Sequence, residues 1–283
     1  TWSILAEVAE GERAKECIAS VDKYLDSHNI TRYELAKRTG IIYQIFPDRF
    51  YNSGQVKKNI PKDRYICKDW YSQPEFKQDD DIKFLGNDYY GGDLKGIEQK
   101  LDYIKSLGVD VIYLNPVFSA YSNHRYDTAD YELVDSLLGT NEDFASLCRA
   151  AKRKKMRIIL DGVFSHTGSN SKYFNRDDEF DSLGAYQSKD SEYYSWYEFQ
   201  EFPQKYTSWW GVWSLPCVNE LDEKYLEYIV TGENSITKQW LDRGASGWRL
   251  DVADELPDEF LYRLRECVHK HSDGQGIVIG EVW

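Results

Sequence analysis

The chain is poor in the features that identify several common protein classes. It has five cysteines, at 17, 67, 148, 217 and 267; their number is odd and no two stand in C-x-x-C spacing. That argues against a disulfide framework and a zinc ribbon, and Cys148 and Cys267 read as small buried thiols on helices. No apolar run approaches the ~18 residues of a membrane-crossing helix, and the start "TWSILAEVAEGERAK" lacks the pattern of a signal peptide. No membrane partner is expected. Lysine and arginine are outnumbered 35 to 48 by aspartate and glutamate, a net charge of −13. Such a surface repels phosphate backbones, so no nucleic-acid partner is expected. Neither GxGxxG nor GxxxxGK[ST] occurs where a nucleotide-binding fold needs it: the segment after "IIYQIF" reads "PDRFYNSGQ". A reducing, cytoplasmic compartment fits unpaired thiols. The chain starts at Thr1, so an earlier leader or domain, and with it export, stays open.

What the chain has in quantity is aromatic surface. Hydrophobic residues make up 41% of the 283 positions and aromatics 15%, with 9 tryptophans and 22 tyrosines. That is a folding composition. Flat rings serve core packing, and they also serve ligands with apolar C–H faces such as sugars; composition leaves both readings open.

Periodicity divides the chain. Residues 1–40 read as a helical lead-in. Apolar strands are predicted at 41–46, 109–116, 156–163, 247–252 and 276–282. Helices are predicted between them: 94–108 closed by Gly108, 141–155 capped by Thr140 or Asn141, 222–244 as one helix or two joined near Gly232, and 257–273 starting at Pro257 as N1. Near-continuous apolar strands alternating with helices imply a parallel sheet covered on both faces. With no phosphate-binding turn, a (β/α)8 TIM barrel is favoured over an open doubly wound sheet. Eight strands are needed and five are visible, so the expectation is a truncated barrel, a piece of a longer protein. The predicted organisation is a lead-in at 1–40, barrel at 41–166, an inserted domain at 167–221 after the third strand, and barrel again at 222–283.

Polar groups recur at the carboxyl ends of these strands, the catalytic mouth of barrel enzymes. They are Asn115 with nearby His124 and Tyr126, then Asp161 with His166, then Arg249 with Asp251, then Glu281. A lone strand-end aspartate is commonly a helix cap; four placements in register are harder to obtain that way. Arg249 and Asp251, two apart, face one side. They form either a structural strut or a device that keeps Asp251 ionised, with a depressed pKa, as a nucleophile. Neighbouring strands lie ~5 Å apart, so Asp251 and Glu281 meet the ~5–5.5 Å requirement of a retaining glycosidase. An apolar surround, "VIGEVW", would raise the pKa of Glu281 for acid/base work. Tyr126, Phe164, Trp209, Trp210 and Trp213 are expected to rim the mouth.

These segments resemble the α-amylase family of glycoside hydrolases, in particular its neopullulanase, cyclomaltodextrinase and maltogenic-amylase branch. "YQIFPDRF" (43–50), "GGDLKGIEQKLDYIKSLGVDVIYLNPVF" (91–118), "SNHRYDTADY" (122–131), "DGVFSH" (161–166), "GWRLDVADE" (247–255) and "GEVW" (280–283) carry the likeness, in family order, over about residues 40–283. The resemblance implies retaining cleavage of α-1,4-glucosidic bonds through a covalent glucosyl-enzyme. Asp251 would be nucleophile and Glu281 acid/base. Arg249 would hold the nucleophile, and Asp161, His124, His166, Tyr126 and Trp210 would bind sugar. The expected partner is an α-glucan: maltooligosaccharide, cyclomaltodextrin, pullulan or starch. A homodimer is left open for the full-length parent.

The departures are as specific. The family's fourth signature region, with its third catalytic acid, has no counterpart here, so the isolated chain is expected to be inactive or nearly so. The resemblance implies a structural calcium on Asn52, Gly91 and Asp93. The loop reads "SGQVKKN", however, and Lys57 and Lys58 oppose a hard cation, so no cofactor is expected to be required. Asp254 stands where many relatives have asparagine. Rival readings are a transglycosylase or isomerase of the family, or an inactive carbohydrate-binding relative.

Overall fold

The computed structural model describes Lys23, Ser27, residues 40–57, Ile60, and residues 64–74 and 86–282. The expected helical lead-in, apart from Lys23, Ser27 and Gly40, lies outside the described residues, as do Cys17 and Lys58.

Five parallel strands form one sheet: β1 (Ile42–Ile45), β2 (Val111–Leu114), β3 (Arg157–Gly162), β4 (Gly247–Leu250) and β5 (Ile277–Gly280). Their spatial order is their chain order. A doubly wound sheet reverses its order at a switch point; an unbroken 1-2-3-4-5 progression is the order of a β/α barrel. Register is continuous, with Gln44 opposite Tyr113, Tyr113 opposite Ile159, Asp161 opposite Arg249, and Arg249 opposite Ile279.

The strands are apolar on both faces because the two faces meet different partners. Ile112, Leu114, Ile158, Leu160, Trp248 and Leu250 join the large core beneath the helices. Val111, Tyr113 and Ile159, with Ile277 and Ile279 against them, form a separate inner cluster. Period-two alternation therefore carries Asp161, Arg249, Asp251 and Glu281 on the inner face.

Helices follow each of the first four strands. The predicted 94–108 helix is two short ones, α1 (Leu94–Gln99) and α2 (Leu101–Ser106), separated at Lys100, and Gly108 closes the pair with φ +82°. α3 (Asn141–Arg153) opens on a capping box: the Thr140 hydroxyl accepts from Asp143 N–H, and the Asp143 carboxylate accepts from Thr140 N–H. Phe144, Leu147, Cys148 and Ala151 bury one stripe of it. The 222–244 segment is two helices, α4 (Glu223–Leu226) continued by a π-turn to Thr231, then α5 (Ile236–Asp242), with Gly232 at the junction. α6 (Asp258–His271) starts one residue later than expected, so Pro257 is its N-cap rather than N1. Gly247 is required where it stands: φ is +141°, and a Cβ there would lie 1.8 Å from the Ile277 carbonyl oxygen.

Between β3 and α4 the chain forms only short pieces, among them a small antiparallel pair, Phe199–Glu201 with Lys205–Tyr206. Aromatic packing holds this segment to the barrel: Tyr173 contacts Tyr131 at 5.6 Å, and Trp196 contacts Tyr225 at 5.0 Å between ring centroids. Phe164, expected at the rim, is instead fully buried against Trp248 and Phe260. Cys148 is buried as expected, whereas Cys267 is only half-buried.

Candidate active site

The centre of the inner face is one guanidinium. Arg249 Nη1 donates to Asp161 Oδ1 at 2.7 Å and to Asp251 Oδ1 at 2.9 Å, while Nη2 is ion-paired with Glu281. Three strands thus deliver three carboxylates to one cation. Sheet register is the cause: Asp161 is the cross-strand neighbour of Arg249, and Asp251 and Glu281 each follow the last residue of adjacent paired strands. Their backbones are tied too, with Asp251 N–H donating to the Gly162 carbonyl and Glu281 N–H to the Leu250 carbonyl. Val252, just after Asp251, holds φ +41°, a strained conformation for a β-branched residue.

The charge balance corrects one expectation. Asp251 is not depressed; burial, then the charge of Asp161, pushes its carboxyl up to about 7, against the opposing pull of Arg249. Burial also pushes Asp161 up to about 6, although Arg249, Tyr113 and Tyr126 favour its charged form. Three carboxylates exceed what one guanidinium neutralises. Nor does Glu281 sit in an apolar surround: its side chain is 29% exposed and lies against Arg249.

A second layer orients Asp161. Tyr113 donates to Asp161 Oδ2 at 2.5 Å and Tyr126 to the same oxygen at 3.2 Å. Gln44 donates to Asn115, and Asn115 to the Tyr126 hydroxyl. Tyr113 and Gln44 escaped the sequence reading, yet both lie on the inner-facing positions in register with Asp161 and Arg249.

His166 is buried between Ser165 and the Tyr126 carbonyl, at 2.9 and 3.1 Å. A carbonyl only accepts, so Nε2 carries the proton and Nδ1 accepts from Ser165. Both nitrogens are satisfied with the ring neutral, and burial pushes its pKa down to about 4. His124 is exposed, and its Nδ1 accepts from Tyr126 N–H. Trp209 packs against His166 with its ring tilted by 31° at 5.4 Å, and Trp210 stacks on Trp209 at 5.1 Å. Both indole N–H groups donate to Glu255, at 2.9 and 3.0 Å. Trp210 therefore stands 78% exposed at the outer end of a fixed stack. Trp213 is further out, half-exposed, with Arg176 over its ring. Glu255 was not anticipated as the anchor of this stack.

Asn52 and Gly91 do lie together, since a Cβ on Gly91 would be 3.1 Å from Asn52 Nδ2, and Asp93 is bonded to the residues on either side of Asn52, its N–H donating to the Tyr51 carbonyl and its carboxylate accepting from Ser53. But Asp93 Oδ1 accepts from Gly96 N–H as the α1 cap, and Oδ2 accepts from Ser53 and is ion-paired with Lys57. The Asn52 oxygen already accepts from Gly54 N–H. A donor set with one committed carboxylate and an ammonium in its midst does not fit a calcium ion, which needs 6–8 oxygens.

Residues 44–273 match the family model for the alpha-amylase catalytic domain. An amylopullulanase of Thermoanaerobacterium saccharolyticum is 41% identical over 272 residues, covering 86% of this chain and 21% of that protein. Neopullulanase 2 of Thermoactinomyces vulgaris is 32% identical over 276 residues, covering 96% of this chain and 44% of that protein. The cyclic α-maltosyl-(1→6)-maltose hydrolase of Arthrobacter globiformis superposes with a TM-score of 0.70 at 30% identity, covering 86% of this chain and 50% of that one. The chain thus spans between a fifth and a half of the length of these relatives. With five barrel strands in order and a family model matched over most of its length, the chain belongs to the alpha-amylase family of glycoside hydrolases.

Proposed function

We propose that the protein cleaves α-1,4-glucosidic bonds of maltooligosaccharides, cyclomaltodextrins or pullulan with retention of configuration. The observation that carries this reading is the single Arg249 guanidinium shared by Asp161, Asp251 and Glu281 at adjacent strand ends. Adjacent strands set carboxylates ~5 Å apart, the separation of a double displacement rather than an inverting attack by water. In the first step a protonated Glu281 gives its proton to the glycosidic oxygen while ionised Asp251 attacks the anomeric carbon; the C–O bond breaks and a glucosyl ester forms. In the second, Glu281 takes a proton from water, whose oxygen displaces Asp251. Arg249 orients both carboxylates. His124, with its Nε2 unengaged among the described residues, hydrogen-bonds the sugar beside the scissile bond. Asp161 and His166 support that subsite through Arg249 and Tyr126. Tyr126 stacks beneath the sugar, and Trp210 receives the sugar beyond. The relatives' named substrates, pullulan and cyclic maltosyl sugars, support this class. In the same reading Lys57 cross-links the Asp93 loop and no metal is required there.

The test is to treat the complete protein with 5-fluoro-α-glucosyl fluoride and digest it. A glucosyl ester on the Asp251 peptide is expected, lost in Asp251→Asn and longer-lived in Glu281→Gln, because fluoride leaves without a proton whereas hydrolysis of the ester loses its base. An ester elsewhere, or an inverted product, refutes the assignment.

A further inference from the structure

Between His124 and Tyr126, both facing the site, stands an arginine that faces away from it. Arg125 is completely buried and its backbone is left-handed, with φ +62°. Such a conformation costs on the order of 1 kcal/mol in a non-glycine residue. Its guanidinium is ion-paired with Asp135 at 3.1 Å, donates to the Asn123 carbonyl at 2.7 Å, and lies 5.5 Å from the centre of the Tyr89 ring. Its Nε is buried without a hydrogen-bond partner.

Charge balance does not explain this residue. Asp135 is already paired with Arg64 and also accepts from Leu137 N–H. Two guanidiniums therefore flank one carboxylate and one ring, for Arg64 also lies 5.7 Å from the centre of Tyr89. A purely structural strut needs only one.

The position of Arg125 on the 121–127 loop supplies the missing reason. Other bonds hold the loop at its edges: Tyr89 donates to the Tyr121 carbonyl, Asn123 to Asp88, and Ser122 to Asp127. None of these touches the residues on either side of position 125. On the site face Tyr126 reaches Asp161 with its hydroxyl and His166 with its carbonyl. Arg125 is the anchor on the opposite face of the same turn.

We infer that Arg125 is a positioning residue: its buried fork to Asp135 and Asn123 fixes the turn that presents Tyr126 to the sugar beside the scissile bond. This rests on the glucan-cleaving function proposed above. The residue touches no substrate and acts through Tyr126. Arg125→Met removes the fork while Arg64 still pairs Asp135. Arg125→Lys keeps the charge but cannot bond both acceptors in one plane.

The experiment is a double-mutant cycle on the complete protein, with maltotriose hydrolysis and calorimetric maltotriose binding measured for wild type, Arg125→Met, Arg125→Lys, Tyr126→Ala and the two combinations. Displacing a sugar-binding group by about 1 Å costs up to ~100-fold. Arg125→Met is therefore expected to lower kcat/KM roughly 10- to 100-fold, and Arg125→Lys by less, each with folded circular-dichroism spectra. In the Tyr126→Ala background either change should cost under about threefold, because the group being positioned is gone. Equal losses in both backgrounds, or a loss in Arg125→Lys that tracks only its melting temperature, overturn the inference. If Arg125→Met does not fold, the lysine cycle decides alone. A wild type that neither binds nor cleaves maltotriose refutes the glucan reading and this inference together, whereas an active wild type with an uncoupled cycle refutes only the latter.

Discussion

Asp251→Asn is expected to abolish turnover and to make the protein more stable. The carboxyl is raised from an ordinary 3.8 to about 7 by burial and by Asp161, with Arg249 opposing. A folded pKa above the unfolded one means that the unfolded chain loses its proton first as pH rises. The associated stability is therefore fully present below about pH 4 and is lost as pH climbs through about 7. Three pKa units correspond to about 4 kcal/mol. Asparagine resembles the protonated acid, and its carbonyl still accepts from Arg249 Nη1, so the bond seen at 2.9 Å survives. The assay is denaturant unfolding of the complete wild-type and variant proteins at several pH values from 4 to 8.5. The curves should coincide near pH 4 and separate steadily to about pH 7, where the variant is 2–4 kcal/mol more stable; the gap should then stay constant. A variant less stable at pH 8, or a gap independent of pH, would refute the claim that three carboxylates overload one guanidinium. Stability withheld at Asp251 is the expected signature of a site arranged for reaction rather than for packing.

Further outcomes follow from neighbouring groups. His166, lowered to about 4 by burial, gives stability that is present above about pH 6.5 and lost as pH falls toward 4, about 3 kcal/mol in all; His166→Gln should flatten that acid limb in melting curves. With the Lys57 ammonium against Asp93, excess EDTA should leave the melting temperature unchanged, while Lys57→Met should lower it and free the carboxylate; a wild type that melts several degrees lower in EDTA contradicts this. Phe164→Ala should cost about 3–5 kcal/mol in unfolding free energy, because the ring is core and not rim. Trp210→Ala should raise KM for cyclomaltodextrin with little change in melting temperature, since the ring is largely exposed; an unchanged KM removes Trp210 from the sugar path.

The sequence was legible where a fixed period governed it. Alternation by two placed Arg249 and Asp251 together, position at the strand ends singled out Asp161 and Glu281, and a five-strand count followed from the helices between. The periods failed at Lys100, where one expected helix breaks in two, and across 167–221. That segment is held by ring contacts and by isolated bridges such as His166 with Cys217, which leave no repeat in the chain. Phe164 looked like its aromatic neighbours because residue type does not state which way a post-strand residue turns.

The pKa of Asp251 was misjudged for a different reason, and this is the more general one. Sequence adjacency showed one cation beside one anion, and that pair alone would depress an acid. The fold adds Asp161 by cross-strand register and Glu281 by the next strand, so the electrostatic sign depends on a sum over three strands. In the Arg125 cluster the sum runs the other way, with Arg64 and Arg125 on one Asp135, and sequence neighbours again give no warning. Pairwise reading of charges along a strand therefore locates such a site well but cannot sign its titration. The pH dependence of the Asp251→Asn variant measures that sum directly: a gap of 2–4 kcal/mol above pH 7 reports an excess of carboxylate, and a vanishing gap reports balance.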